Sequence, residues 1–228
     1  MHIPPLTIFY ALLGGILPAL IWLFFWLFED TKRPEPKSLI LRTFTLGMIA
    51  VPLVIPFQLA VNTLLPGSTT IAFLLWAIIE EVFKLGAAYW GGLRSKEDDE
   101  PLDPLIYMIT AALGFAAFEN ALFIATPLLG GELATGIIIG NFRFMGASLL
   151  HTVSSGIIGV AMAFAFYKPK WRVPLILLFF VVAVLFHAAF NIFINSQTDG
   201  NTIFAFGAVW AGIALLLLIF ERVKQIAR

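Results

Sequence analysis

The sequence predicts an all-α fold, a polytopic transmembrane helical bundle of seven spans. Three observations lead there. Of 228 residues, 60% are hydrophobic and only 12% are charged, whereas soluble domains carry about 25% charged residues. Mean hydropathy is +0.95. Apolar runs long enough for a membrane helix, which needs about 20 residues, recur along the whole chain with short polar punctuation between them. Connections this short leave no room for a soluble module, so residues 1–228 read as a single integral membrane domain. Cysteine is absent, which removes disulfides, thiol nucleophiles and thiolate metal ligands together. The formal net charge is zero, and no nucleic-acid partner is expected.

The spans are taken in order. The first, residues 5–28, follows a start without the basic n-region of a cleaved signal and exceeds a signal's apolar core, so it reads as a membrane helix. "EDTKRPEPKS" ends it. The second, 39–65, carries Pro52 and Pro56, so a kink or a break is expected there, and "PGST" closes it. The third, 70–92, contains Glu80, Glu81 and Lys84 and runs into "RSKEDDEPLD", which reads as a solvated turn. The fourth, 104–127, holds Glu119 and Asn120 and gives way softly at "PLLGGELATG". The fifth, 134–167, opens on the close-packing motif "GIIIG" from Gly136 to Gly140, carries Arg143 and His151, and stops at "KPKW". The sixth, 173–195, contains His187 and Asn191 and ends at "NSQTDGN"; the seventh is 202–221.

Basic residues fix the orientation. Apart from Lys84 and Arg143, they fall in four groups: Lys32 to Arg42, Arg94 with Lys96, Lys168 to Arg172, and Arg222 to Arg228. These flank alternate ends of the seven spans, and the opposite ends carry none. The positive-inside rule then sets the N-terminus outside and the C-terminus in the cytoplasm.

Charge inside a span is costly. Glu80, Glu81, Lys84, Glu119 and Arg143 together imply about 10–15 kcal/mol if all were ionised and unpaired. Such residues must face the interior and find one another. Counting about 1.5 Å per residue from the span ends brings Glu80, Glu81, Glu119, His151 and His187 near mid-bilayer, with Asn191 one turn outward of His187. Four spans deliver acid or imidazole groups to one layer. Within it, Glu80 and Lys84 are four residues apart and read as a pair on one face. Glu81 is rotated by about 100° and has a different part. Arg143 reads as a structural counter-ion for Glu119 or Glu132.

Each motif alone has an ordinary explanation: a buried ion pair, a hydrogen-bonded histidine, a packing pair. Their shared depth on separate helices favours chemistry. Carboxylates and imidazoles in a dry pocket suit peptide hydrolysis, with a carboxylate taking a proton from water and His and Asn donating to an oxyanion. Two histidines and a glutamate also suit a metal ion with one position open to water. Proton- or cation-coupled transport needs the same buried groups, so chemistry leaves both classes open, although no internal repeat or paired broken helices are visible. A non-catalytic scaffold is the third reading.

"EEVFK" (Glu80 to Lys84), "FAAFEN" (Phe115 to Asn120), His151 and "HAAFN" (His187 to Asn191) resemble the ordered motifs of the PrsW family. These are intramembrane proteases of the larger group that includes CAAX prenyl endopeptidases and bacteriocin-processing proteins. The resemblance spans residues 80–191 and implies a peptidase of metallo- or glutamate type. Its substrate would be a membrane-anchored protein, typically an anti-sigma factor, in the plasma membrane of a prokaryote. It implies that Glu80 and Glu81 activate water, with Lys84 orienting one of them. Glu119 stands where the CAAX relatives have histidine. His151 and His187 become catalytic or zinc-binding imidazoles, with Glu119 as a candidate third ligand and Asn191 as an oxyanion donor.

Overall fold

A computed structural model describes residues 5–30, 33–67, 69–196 and 199–226 of the 228. They form eight α segments and no strand. These are α1 Pro5–Glu29, α2 Lys37–Leu64, α3 Thr69–Ala88, α4 Asp103–Leu129, α5 Leu133–Phe142, α6 Ser148–Phe164, α7 Pro169–Asn195 and α8 Asp199–Ile226. A π turn, Tyr89–Leu93, extends α3, and another, Arg143–Ala147, joins α5 to α6. The expected fifth span is therefore one long helix with a π turn in its middle. Among the described residues, six helices are long and apolar enough to cross a membrane. The 20-residue α3 is not among them, because Glu80, Glu81 and Lys84 interrupt its apolar character.

The second span does not break. α2 runs through Pro52 and Pro56, and both rings lie on its exposed side. There the ring meets no packed neighbour, and the lost N–H bonds are confined to the solvent- or lipid-facing edge.

α4 is the central helix. Every residue from Asp103 to Ala117 is buried, and α1, α2 and α6 pack against it. Small residues permit this. A Cβ on Gly47 of α2 would strike the Ala111 carbonyl, and one on Gly114 of α4 would strike the Phe44 carbonyl, so the two helices meet backbone to backbone. Gly136 and Gly140 of α5 lie against Leu128 and Ile124 of α4, which is the close packing their spacing predicts.

The connection after α3 differs from the solvated turn expected. Glu100 and Asp103 are buried there with Asp30 and Glu35 from the end of α1 and the start of α2, and Asp98 is half-buried beside them. Asp103 Oδ2 accepts the backbone N–H groups of Asp99 and Glu100 at 2.8 and 2.7 Å and so organises the start of α4. Tyr107 donates its hydroxyl to Glu35. Burial, then the neighbouring Glu100 and Asp103 carboxyls, push Asp30 up to about 7, and burial pushes Asp98 up to about 6. Local hydrophilicity hid this, since the burial comes from segments distant in sequence. Arg42 crosses to the π turn after α3, donating to the Gly91 carbonyl at 2.9 Å and the Trp90 carbonyl at 2.6 Å. Those carbonyls are ones the wider π turn leaves short of a helical partner.

Candidate metal centre

α3, α4, α6 and α7 carry the polar layer, and the structure brings Glu80, Glu81, Lys84, Glu119, His151 and His187 into one connected network. Its centre is Glu81, which is fully buried. Glu81 Oε1 accepts from Lys84 Nζ at 2.5 Å, Ser154 Oγ at 2.8 Å and His187 Nδ1 at 2.8 Å. Its Oε2 accepts from Ser155 Oγ at 2.8 Å. Both oxygens are committed. The expected pairing of Lys84 with Glu80 is replaced by Lys84 with Glu81, one residue closer. On a helix both spacings share a face, and Glu81 is the acid that points at α6 and α7.

Lys84 Nζ also lies 3.2 Å from His151 Nδ1 and 5.2 Å from the centre of the Phe115 ring. An ammonium only donates, so Nδ1 of His151 is the accepting nitrogen and Nε2 carries the proton. That Nε2 contacts Glu119 Oε2 at 3.0 Å. His187 follows the same logic. Its Nδ1–H points to Glu81, which leaves the Nε2 lone pair free, 3.4 Å from Glu80 Oε2. Each imidazole thus gives one N–H to a carboxylate, the arrangement that fixes a metal-binding histidine. The other nitrogen is free in His187, whereas in His151 it accepts from Lys84 Nζ, a contact that a bound metal would have to displace. The ring centres are 5.1 Å apart.

Glu80 is held on one side only. Gln58 Nε2 of α2 donates to Glu80 Oε1 at 2.9 Å, while the buried Oε2 has no hydrogen-bond partner among the described residues. A carboxylate oxygen and an imidazole lone pair then face each other across 3.4 Å. Such an arrangement calls for a proton or a cation between them. One ligand atom each from Glu80, His151 and His187 lies within 4.8 Å of the others, so these three residues fit a metal ion. The charges agree: three carboxyl groups, Glu80, Glu81 and Glu119, stand against two fixed cations, Lys84 and Arg143. Glu119, the acid expected as third ligand, engages Arg143 and His151 through Oε2, while the acid whose ligand atom groups with both imidazoles is Glu80.

Arg143 leaves the π turn and forks. It donates to Glu119 and, at 2.5 Å, to Asn120 Oδ1, with its guanidinium 3.9 Å over the Phe123 ring. Asn120 passes the contact on to Ser148 Oγ at 3.0 Å. A π turn adds a residue to the helical circuit, and here it aims Arg143 at α4 while His151 stays in the layer. A cavity of about 440 Å³ reaches the layer, lined by Gln58, Glu80, Glu119, Arg143, His187 and Asn191 among others. Asn191 stands on its wall, one turn beyond His187.

Ser154, Ser155 and Gln58 escaped the sequence reading. The signal was there: each is a polar side chain within an otherwise apolar span, the criterion that picked out the charged residues. Hydroxyls and a carboxamide are cheap enough in a membrane helix to pass without comment.

Fold and site together define a multi-pass helical membrane protein with a buried glutamate–histidine centre that fits a metal ion and opens on a cavity. The model of the PrsW family intramembrane metalloproteases matches residues 35–220, and the chain belongs to that family. Among similar proteins is a Protease PrsW of Geobacillus kaustophilus (strain HTA426), 31% identical over 72% of this chain and 69% of the relative. Another is a Protease PrsW of Bacillus subtilis (strain 168), 27% identical over 84% of this chain and 85% of the relative. No solved structure matches. The chain is an intramembrane peptidase, and the transport and scaffold readings lack support.

Proposed function

We propose that the protein cleaves a membrane-anchored protein, with zinc held by Glu80, His151 and His187. The observation that carries this is the contact between His187 Nε2 and Glu80 Oε2, 3.4 Å apart, in which the buried Oε2 has no hydrogen-bond donor among the described residues. Held by these residues, zinc would supply Lewis-acid polarisation of a carbonyl and lower the pKa of a water molecule. The chain does the rest. Glu81 and Glu119 hold the tautomers of His187 and His151. Lys84 balances Glu81 in a fully buried position. Glu119 also lines the cavity, and among the described residues its contacts run through Oε2, which leaves Oε1 to take the proton that water gives up. Asn191 offers its carboxamide N–H to the developing oxyanion from the cavity wall. The surrounding Trp76, Phe73 and Phe190 limit the water in the site.

The membrane setting follows the same reading. The basic residues of the loops gather at one end of the bundle, tied by Lys224 to Glu29 at 3.0 Å and by Arg42 to the π turn. That end faces the cytoplasm of a bacterial plasma membrane, and the chain works there as one domain. The cavity serves the outer half, where Asn191 and Asn195 line it, so the cut falls in a substrate segment near the outer face. An anti-sigma factor is the kind of substrate that the family resemblance implies.

The experiment compares metal content with cleavage of a membrane-anchored reporter. Glu80→Gln, His151→Ala and His187→Ala lose both metal and cleavage, whereas Glu119→Gln keeps the metal and loses cleavage. Wild-type cleavage by Glu119→Gln removes its role as proton acceptor; wild-type metal content in His187→Ala removes the centre.

A further inference from the structure

Glu80 is the least supported acid of the layer by its own helix. Lys84, one turn further along α3, is taken by Glu81 and His151, and α3 offers Glu80 no other donor. The support comes from α2. Gln58 Nε2 reaches Glu80 Oε1 at 2.9 Å, and Gln58 lines the same cavity as Glu80, Glu119 and His187. A carboxylate oxygen only accepts, so this contact fixes the carboxamide with its nitrogen toward Glu80. Oε1 is thereby occupied, and Oε2 is turned to His187 Nε2.

We infer that Gln58 is the positioning residue of the centre: its carboxamide pins Glu80 Oε1 so that Oε2 alone faces the two imidazoles. The residue type suits the task. A lysine or arginine would add a charge and draw the carboxylate away from a metal, an acid would repel it, and an aliphatic side chain would free both oxygens to rotate. A neutral donor orients the ligand and leaves its charge for the ion. Hydrogen-bond partners of this kind typically change metal affinity or activity by about 10–100-fold when removed. The inference rests on the zinc reading above and adds a residue from a helix that carries none of the motifs.

Gln58→Met tests it, because methionine is close in shape and has no N–H to give. Purified in detergent, the variant and the wild type are titrated with zinc against a chelator of known affinity, and their metal-free thermal unfolding is compared. The expected result is a zinc affinity about 10–100-fold weaker with an unchanged metal-free melting point. Wild-type affinity in Gln58→Met overturns the inference, and so does an affinity loss matched by an equal fall in metal-free stability. Wild-type protein that takes up no zinc overturns the zinc reading instead. In that event the reporter assay still decides on Gln58, through kcat and KM. A fall in kcat at constant KM sustains the positioning of Glu80 as an acid–base group; unchanged kcat refutes it.

Discussion

Replacing Lys84 with methionine asks what the buried charges are worth. Lys84 has no exposure, and its Nζ is 2.5 Å from Glu81 Oε1 and 3.2 Å from His151 Nδ1. Methionine fills most of the volume, so packing against Phe115 survives and the loss is electrostatic. Removing one member of a buried ion pair costs about 3–5 kcal/mol, because the other charge stays behind unbalanced. Glu81→Gln carries a similar cost, since it strands the ammonium and weakens the acceptor for Ser154, Ser155 and His187. The double variant strands neither charge, and replacing a whole buried pair is often nearly neutral. Its cost is expected to fall below the sum of the two single costs by at least about 2 kcal/mol. Unfolding in mixed micelles, followed by helical circular dichroism, measures all three variants. Additivity within about 0.5 kcal/mol would refute the reasoning, since it would mean that Lys84 and Glu81 are not each other's partner.

Three further outcomes are expected. Arg143→Lys keeps the charge but not the fork that joins Glu119 to Asn120, so kcat on the reporter falls about 10–100-fold while the chain stays folded; an unchanged kcat would show the fork to be idle. Gly114→Val drives a side chain into the Phe44 carbonyl of α2 and lowers the melting point, whereas Gly207→Ala, which meets nothing, leaves it within error; equal melting points for both would contradict the backbone contact. For Asp30, burial and its acidic neighbours raise the folded-state value from 3.8 to about 7. The folded state therefore holds a proton that the unfolded chain releases. That contribution is complete below about pH 4 and is lost as pH rises through about 7. Thermal unfolding across this range should show a slope that Asp30→Asn flattens, and an unaltered slope would exclude Asp30 as its source.

Much of the fold was legible because hydropathy and punctuation report directly on a membrane chain. The four basic groups set an expected orientation, but the contacts of Lys224 with Glu29 and of Arg42 with the turn after α3 join segments whose pairing spacing does not encode. The layer was legible as well, since counting residues along Glu80, Glu119, His151 and His187 needs only the helical rise. Pairing within it was not. Lys84 is three residues from Glu81 and four from Glu80, and helical spacing admits both; which acid wins depends on Ser154, Ser155 and His187 arriving from α6 and α7. The prolines of α2 announce a kink or a break, and the helix runs on unbroken through both. A helix breaks where the lost bond is buried and unsupported, and Pro52 and Pro56 lie on the exposed side. The acids after α3 looked solvated because their sequence neighbours are polar, while the segments that bury them, near Asp30 and Glu35, are about 70 residues away in the chain.

Zinc X-ray absorption on detergent-purified protein tests the central claim most directly. The account predicts about one zinc per chain in a shell of two imidazole nitrogens and carboxylate or water oxygen at about 2.0–2.2 Å, with the bound zinc and reporter cleavage lost together in His187→Ala. Protein that cleaves the reporter at full rate with no bound metal, or a zinc shell that His187→Ala leaves unchanged, would contradict it.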